Sequence, residues 1–354
     1  MEWPTVIARV PGSWGELVQG QVEGEDFLIT CPVGIYTVAL ARPLEASGSA
    51  TAAEWRLAGG RPRPRTAAAL LSLARAPSGG SHADLRALPA YQPTQGPGGV
   101  VRLYSRLRPG AGMASSTADL CAAMSAATVA GGGAPLGPED LFRRCLAVEP
   151  TDGIMFPGIA LVDHRRGRRA EVLGPPPPLA IVGVDPGGIV DTLAFNRRAD
   201  LARANRGKEP QVAEALALAV TAVRRGDPET LGRASTLSAA AHQNLLPNPL
   251  WEPVRELAQD VGAVGINVAH SGTVIGILLD PRRADVVAVC RHVVARLRLP
   301  ARALELIRGG VDVEPMAAGT RWQHLASRLG QRTAAESVKT HRDRRGRLNP
   351  SRVE

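Results

Sequence analysis

The stretch LRPGAGMASSTADLCAAM, from Leu107 to Met124, constrains this chain more than any other. It sets two glycines one residue apart, then Ser115, Ser116 and Thr117, then a run of small residues. The segment before it alternates, with Val101, Leu103 and Leu107 on one face and Arg102, Tyr104 and Arg106 on the other. That pattern predicts a half-buried strand. The segment after it is alanine-rich, with Leu120 and Met124 four apart, and predicts a helix. The chain must therefore pass from strand to helix through a turn that carries almost no side chain. Glycines let a backbone bend sharply and approach a ligand closely. A helix N-terminus presents free N–H groups and the positive end of the helix dipole, which together attract phosphate. The segment fits a phosphate cradle. It also fits a serine N-cap behind a tight turn, with alanines for close helix packing.

Other cradles and centres are excluded. No Gly-Lys-Ser/Thr occurs, so there is no Walker A loop. A dinucleotide fingerprint needs a third glycine where Ser115 stands. No His/Cys set has zinc spacing, and HSGTVIG is not a hydrolase elbow. The only lysines are Lys208 and Lys339, neither near a glycine-rich loop in sequence, so a lysine-dependent mechanism is not expected.

With 354 residues, two domains are the natural expectation. Aromatics are 3% of the chain, which leaves little for stacking on single-stranded nucleic acid. The net charge is +9, but seven Lys/Arg against three Asp/Glu lie after Gln331, so the body carries about +5. That basic end is polar and is expected to be a disordered tail over 326–354. Neither nucleic acid nor membrane is expected as a partner. Cys31, Cys121, Cys145 and Cys290 are scattered and read as buried small hydrophobes in a reducing compartment. Met1 to Val10 lacks a leader's apolar core and no stretch reaches transmembrane length, so a cytoplasmic protein is expected.

Along the chain, TVIARVPGSWGELVQG reads as strand, turn, strand, and FLITCPVGIYTVALAR as another strand pair. Helices are expected in RPRPRTAAALLSLARA, LGPEDLFRRCLAVE, PQVAEALALAVTAVRRG, DPETLGRASTLSAAAHQNLL, PVRELAQDVG and PRRADVVAVCRHVVARL. IALVDH, LAIVGVD, the two halves of GINVAHSGTVIGILLD and RALELIRGG read as strands. Pro175 to Pro178 mark a stiff linker or domain edge. Helices and strands mix without strict alternation, so the fold class is α+β.

The pattern Pro109-x-x-Gly112-x-x-Ser115-Ser116 resembles the phosphate loop of the GHMP kinases. PGSWGELVQG, Pro11 to Gly20, resembles that family's first motif, and AHSGTVIGILL, Ala269 to Leu279, its third. Three motifs in order span about residues 5 to 310. Together with CPV at Cys31–Val33 and EPTDGIMFPGIALVDHRRG, they are most similar to the branch of L-threonine kinases of cobalamin biosynthesis.

The resemblance implies a two-domain fold: a ribosomal-S5-like ATP-binding part over 1–174 and a ferredoxin-like helix-and-sheet layer over 175–325. It implies ATP and Mg²⁺ as cofactors, L-threonine as acceptor, and a possible homodimer. By the same resemblance, Pro109, Gly110, Ala111, Gly112, Met113, Ala114, Ser115 and Ser116 bind the ATP phosphates. Ser116 and Glu149 hold the metal, with Ser116 also contributing to catalysis, and Asp152 receives the hydroxyl proton. The short spacing from Glu149 to Asp152 leaves Asp163, or no base at all, as alternatives. Ser13, Glu16, His270, Ser271 and Gly272 are expected at the acceptor, with His242 and Asn244 bordering it. Glu16 is suited to an ammonium or is an exposed turn acid. Arg9, Arg106 and Arg108 are candidates for phosphate or carboxylate. Homoserine or another small alcohol as acceptor, a ligand sensor without turnover, and a nucleic-acid binder acting through the tail are the competing readings.

Overall fold

A computed structural model describes residues 4–44, 54–73, 98–191, 194–195 and 197–316. The basic tail expected beyond residue 325 lies outside them. Two long antiparallel strands dominate: β1 (Val6–Val22) and β2 (Glu25–Pro43). The expected turns at PGSWG and CPVG are not turns. They are irregularities within continuous strands, with register shifts at Pro11/Gly12, Ser13/Glu16 and Glu16/Val18. Gly15 supplies a positive φ of 64° there, so the strand bulges rather than reverses. Glycine and proline signal a break in regular pairing, and a bulge satisfies that signal as well as a hairpin does.

β3 (Trp55–Leu57), α1 (Pro64–Ser72) and β4 (Gly99–Ser105) follow. Val101 is buried while Arg102 and Tyr104 are exposed, as the alternation requires. Then come α2 (Ser115–Ala130), α3 (Pro138–Leu146), β5 (Ile159–Val162), β6 (Ala170–Gly174) and β7 (Ala180–Val184). The later elements are α4 (Leu201–Arg225), α5 (Pro228–Gln243), α6 (Trp251–Asp260), β8 (Gly265–Val268), β9 (Ile275–Leu279), α7 (Val286–Leu297), β10 (Ala301–Glu305) and β11 (Asp312–Pro315). α4 starts well before the expected PQVAEAL run and carries Pro210 inside it.

The fold is α+β. The strands join into one curled sheet in the order β10-β7-β9-β8-β1-β2-β4-β3, with β5 and β6 beside β2 and β11 beside β1. Only β3 and β4 pair in parallel. β1 and β8 meet at one pair, Glu16 with Val268, and a single bridge between Val33 and Leu306 also joins the two halves. Trp14 locks this joint: it is buried, its indole N–H donates to the Ile275 carbonyl at 2.9 Å, and its ring fills the space above Gly183. Pro175 to Pro178 span the short connection from β6 to β7, where the chain crosses between the halves. β11 returns from the C-terminal end to pair with β1, and Val212 and Ala215 of α4 sit in the same apolar cluster as β1. A second cluster, built around Val182, Ile277 and Val293, packs α6 and α7 on the other half. All four cysteines are free and buried. No described helix is long and apolar enough to cross a membrane.

Candidate active site

α2 is buried on nearly every side, which is why its residues are small: alanine lets the helix lie close to β1 and β2. Its N-cap is not a serine. Ala114 takes that position at φ 53°, a left-handed conformation an alanine adopts at a cost, and no side chain caps the helix. Ser115 is the first helical residue. The N–H groups of the first turn are thus left without a side-chain cap. The loop's carbonyls, in contrast, are engaged by the scaffold. Gly110 O accepts from Val190 N at 3.0 Å, and Ala111 O from Thr273 N and Val274 N at 2.9 and 3.0 Å. Gly112 O accepts from Gly15 N at 3.0 Å, and Met113 O from Ser13 N at 3.1 Å. Gly110 and Gly112 carry φ of 68° and 86°. A Cβ on Gly112 would lie 2.2 Å from that of Ala269, so both conformation and space demand glycine.

The loop opens into a cleft of about 460 Å³. Pro109, Gly110, Gly112, Met113, Ala114, Ser115 and Ser116 line it, as do Glu16, Glu149, Asp152, His270 and Ser271. Residues from four separate stretches of sequence are thereby brought together. Three expected members stand behind the wall instead. Ala111 is buried and carries the Thr273 and Val274 contacts. Ser13 lies under the loop, its hydroxyl 3.4 Å from Gly112 O. Gly272 presses on the loop's back, where a Cβ would come within 2.3 Å of Ala111. These residues shape the cradle from outside and do not face the cleft.

Asp152 follows α3 in a turn and is held by threonines. Thr117 Oγ1 donates to Asp152 Oδ2 at 3.2 Å, accepts from Asp152 N at 3.4 Å and pairs with Thr151 Oγ1 at 3.0 Å. Burial raises the Asp152 pKa to about 6, with the neighbouring Glu149 charge adding to the rise. Glu16, delivered to the same place by the β1 bulge, is raised well above the carboxylate range, chiefly by burial and then by Asp152. Its Oε2 is buried without a partner. The nearness of the two carboxyls and the raised pKa of both favour a proton shared between Glu16 and Asp152. Glu16 is therefore not an exposed turn acid. Asp163 is committed elsewhere: its carboxylate accepts from the N–H groups of Arg165, Arg166 and Arg168 at 3.0–3.3 Å and caps a turn outside the cleft.

Glu149 is buried. Its Oε2 meets Arg65 Nη1 at 2.5 Å, while its Oε1 has no partner. An orphaned carboxylate oxygen across a cleft from uncapped helix amides fits a divalent cation shared with phosphates. Mg²⁺ takes one or two carboxylates and fills its remaining positions with phosphate oxygens and water. No group of three or more His, Cys, Asp or Glu suited to holding a metal occurs among the described residues.

Sequence reasoning missed the arginines. RPRPR was read only as a helix approach, yet Arg61, Arg63 and Arg65 all line the cleft. Arg63 Nε meets Asp119 Oδ2 at 2.6 Å, and Asp119 also accepts from Thr37 at 3.0 Å. Alternating prolines hold this segment extended, and that was the available signal. Two of the three arginines expected at phosphate or carboxylate, Arg9 and Arg108, are engaged within the scaffold. Arg9 stacks on Tyr36, 4.6 Å from the ring centroid. Arg108 ties Asp185, Gly188 and Thr273 together beneath the loop. His242 and Asn244 lie at the end of α5, outside the cleft lining. His164, which was not considered, lines it.

Two family models match the chain: the GHMP kinases N terminal domain over residues 83–157 and the GHMP kinases C terminal over residues 219–291. The L-threonine kinase of Salmonella typhimurium is 30% identical over 316 residues, covering 87% of this chain and 95% of that one. The L-threonine kinase of Citrobacter freundii is 31% identical over 320 residues, covering 87% and 99%. Among solved structures, a homoserine kinase from Cytophaga hutchinsonii aligns with a TM-score of 0.60 at 15% identity, over 88% of this chain and 97% of that one. A mevalonate diphosphate decarboxylase from Staphylococcus aureus aligns at 0.59 and 14%, over 88% and 98%. At such identities the solved structures speak for the fold alone.

Proposed function

The chain belongs to the GHMP kinases, and within that family we propose that it transfers the γ-phosphoryl group of ATP to the side-chain hydroxyl of L-threonine, giving O-phospho-L-threonine. One observation carries the chemistry: an uncapped helix N-terminus and a half-buried, ionisable Asp152 open into the same cleft. The resemblance to the two bacterial L-threonine kinases over most of both chains supports threonine as acceptor.

Phosphoryl transfer asks for positioning and charge neutralisation more than covalent chemistry. The amides at the start of α2, with the Ser115 and Ser116 hydroxyls, hold the phosphates in our reading. The hydrogen bonds that hold the carbonyls of Gly110 to Met113 keep those amides aimed at the ligand. Ser116 and Glu149 Oε1 would hold Mg²⁺. When bound, the cation neutralises phosphate charge. Arg65, beside Glu149, adds a second positive group at that end. Asp152 accepts the hydroxyl proton as the oxygen attacks phosphorus. Its pKa of about 6 leaves it mostly ionised at pH 7 and still basic enough to take a proton. Thr117 fixes its orientation, and Glu16, whose pKa is raised beside it, shares its proton equilibrium. The product would supply the aminopropanol phosphate linker of cobalamin.

The test is ADP release with MgATP and L-threonine, L-serine, L-homoserine or buffer alone, with the phosphorylated product identified by mass. Turnover confined to threonine is expected. Turnover on homoserine instead would keep the fold and move the substrate. ATP binding with no turnover on any acceptor would favour a sensor.

A further inference from the structure

Beside the acids of the cleft lies a cluster of nitrogen groups that the phosphoryl chemistry does not use. His164 lines the cleft, is 3% exposed, and neither of its ring nitrogens has a hydrogen-bond partner among the described residues. His270, also on the lining, packs edge-on against it with ring centroids 4.8 Å apart. Behind His270 stands His242, its Nε2 2.9 Å from the His270 carbonyl and its Nδ1 3.4 Å from Lys208 Nζ. An ammonium can only donate, so His242 accepts at Nδ1 and donates from Nε2, which fixes its tautomer. Lys208 is 3% exposed and has no carboxylate partner among the described residues.

Two features of this cluster have no use within the chain. A buried imidazole with both nitrogens unpartnered forfeits its hydrogen bonds to water and regains none. A buried ammonium without an anion is costlier still. Burial lowers Lys208 to about 8, which leaves it charged at neutral pH, and lowers His164 to about 3, which leaves that ring neutral. The charged and titratable groups that act on His270 are His164, His242, Lys208 and Arg165, all of the basic kind. Asp163, next to His164 in sequence, is the one carboxylate whose charge acts on His164, but its oxygens are turned to the N–H groups of its own turn and make no hydrogen bond to the ring. The missing ligand is therefore an anion that accepts hydrogen bonds and enters from the cleft. ATP phosphates already have the helix amides. The acceptor, on the reading above, brings one anion of its own.

We propose that His164 and His270, with the Lys208–His242 pair behind them, form the subsite that receives the α-carboxylate of the amino-acid acceptor. His164 donates to the carboxylate directly. Lys208 is a positioning residue: through His242 it holds the His270 turn and supplies the positive field. This subsite distinguishes an amino acid from an alcohol without a carboxylate. The inference rests on the threonine kinase reading.

The experiment compares L-threonine with L-threoninamide, which keeps hydroxyl, methyl and ammonium but has no carboxylate. The wild-type enzyme is expected to prefer threonine in kcat/KM by about a hundredfold, as charge-assisted hydrogen bonds imply. His164→Phe keeps the ring volume and removes both nitrogens. It should raise KM for threonine at least about tenfold, leave KM for ATP within about twofold, and collapse the preference over threoninamide. Lys208→Met removes the uncompensated charge and should also raise KM for threonine without lowering the thermal midpoint, an outcome a purely structural lysine would not give. Equal wild-type turnover of the two substrates, or variants that raise KM for ATP alone, would overturn the subsite while leaving the kinase reading intact. Should threonine not be turned over at all, ring ¹⁵N NMR of histidine-labelled protein still decides. A shift of the His164 ring with threonine but not with threoninamide supports the subsite. The same response to both, or none, refutes it.

Discussion

The two ends of the cleft are built on opposite plans. The phosphate end, Gly110 to Ser116, presents backbone: its side chains are small or absent, and its carbonyls are tied back to β1 and to the turns around Val190 and Thr273. The end assigned to the acceptor presents titratable side chains, buried Glu16 and His164 and half-buried Asp152 and His270, drawn from three distant stretches of the chain. The difference follows from what each end must handle. A phosphate is the same in every turnover, so fixed amides serve it without any group having to change charge. An acceptor must be deprotonated and told apart from its analogues, and both tasks need side chains whose proton affinity the surroundings set.

Replacing the base breaks this comparison most sharply. Asp152→Asn should lower kcat roughly 10²–10⁴-fold, read as ADP release at saturating MgATP and threonine, with little change in KM for ATP. Its stability should move the other way. The Asp152 pKa is raised in the folded protein, to about 6 from its ordinary 3.8, so the folded state binds this proton more tightly than the unfolded one. The group's favourable contribution is complete below about pH 4 and is lost as pH rises through about 6. The variant's thermal midpoint should therefore exceed that of the wild type at pH 8 and match it near pH 4.

At the other end, Gly112→Ala should act on ATP. A Cβ there would sit 2.2 Å from the Ala269 side chain at a φ of 86°. Such strain is worth about 1–3 kcal/mol. We expect KM for ATP to rise by an order of magnitude or more with threonine affinity held, measured by varying each substrate in turn. Equal losses for both substrates would mean that the two ends are mechanically one.

The pH profile is a gentler probe. In the wild type kcat/KM for threonine should fall on the acid side with a midpoint near 6, as Asp152 takes up its proton. In Asp152→Asn the residual rate should lose that limb. A limb that survives the substitution would assign it to another group.

The same contrast explains what could be read from sequence. The proposed phosphate loop is local: strand, glycines, hydroxyls and helix follow one another, so spacing singled the segment out, while the resemblance and not the spacing chose a cradle over a capped turn. The correction there was small, since Ala114 and not a serine holds the N-cap. The acceptor end was legible only in pieces. Glu16 stood out as an acid in a glycine-rich motif, but its protonation depends on burial against Asp152, which no spacing encodes. His164 follows a strand residue in DHRRG and resembles any surface loop histidine until the fold sets it against His270. Lys208 was dismissed for lying far from every glycine loop in sequence, and α4 carries it back to His242. The PGSWG and CPVG segments show the same limit in the scaffold, because a bulge and a hairpin use the same residues and differ only in what pairs with them.

The smallest expected effect lies at the seam between the two ends, where Arg65 pairs with Glu149. Arg65 is 42% exposed, so solvent screens much of that pairing, and the general range for such pairs is about 0.2–1 kcal/mol. If Glu149 holds a cation, Arg65 competes for the same carboxylate, and Arg65→Gln should lower the free Mg²⁺ needed for half-maximal rate by a factor of about 1.5 to 5. The same variant removes a positive charge from the phosphate end, so KM for ATP should rise by a similar factor at saturating Mg²⁺. The opposing signs are what make the measurement useful. If Arg65 serves only the phosphates, both quantities worsen together. If it serves only to neutralise a structural Glu149, neither moves and the thermal midpoint falls instead.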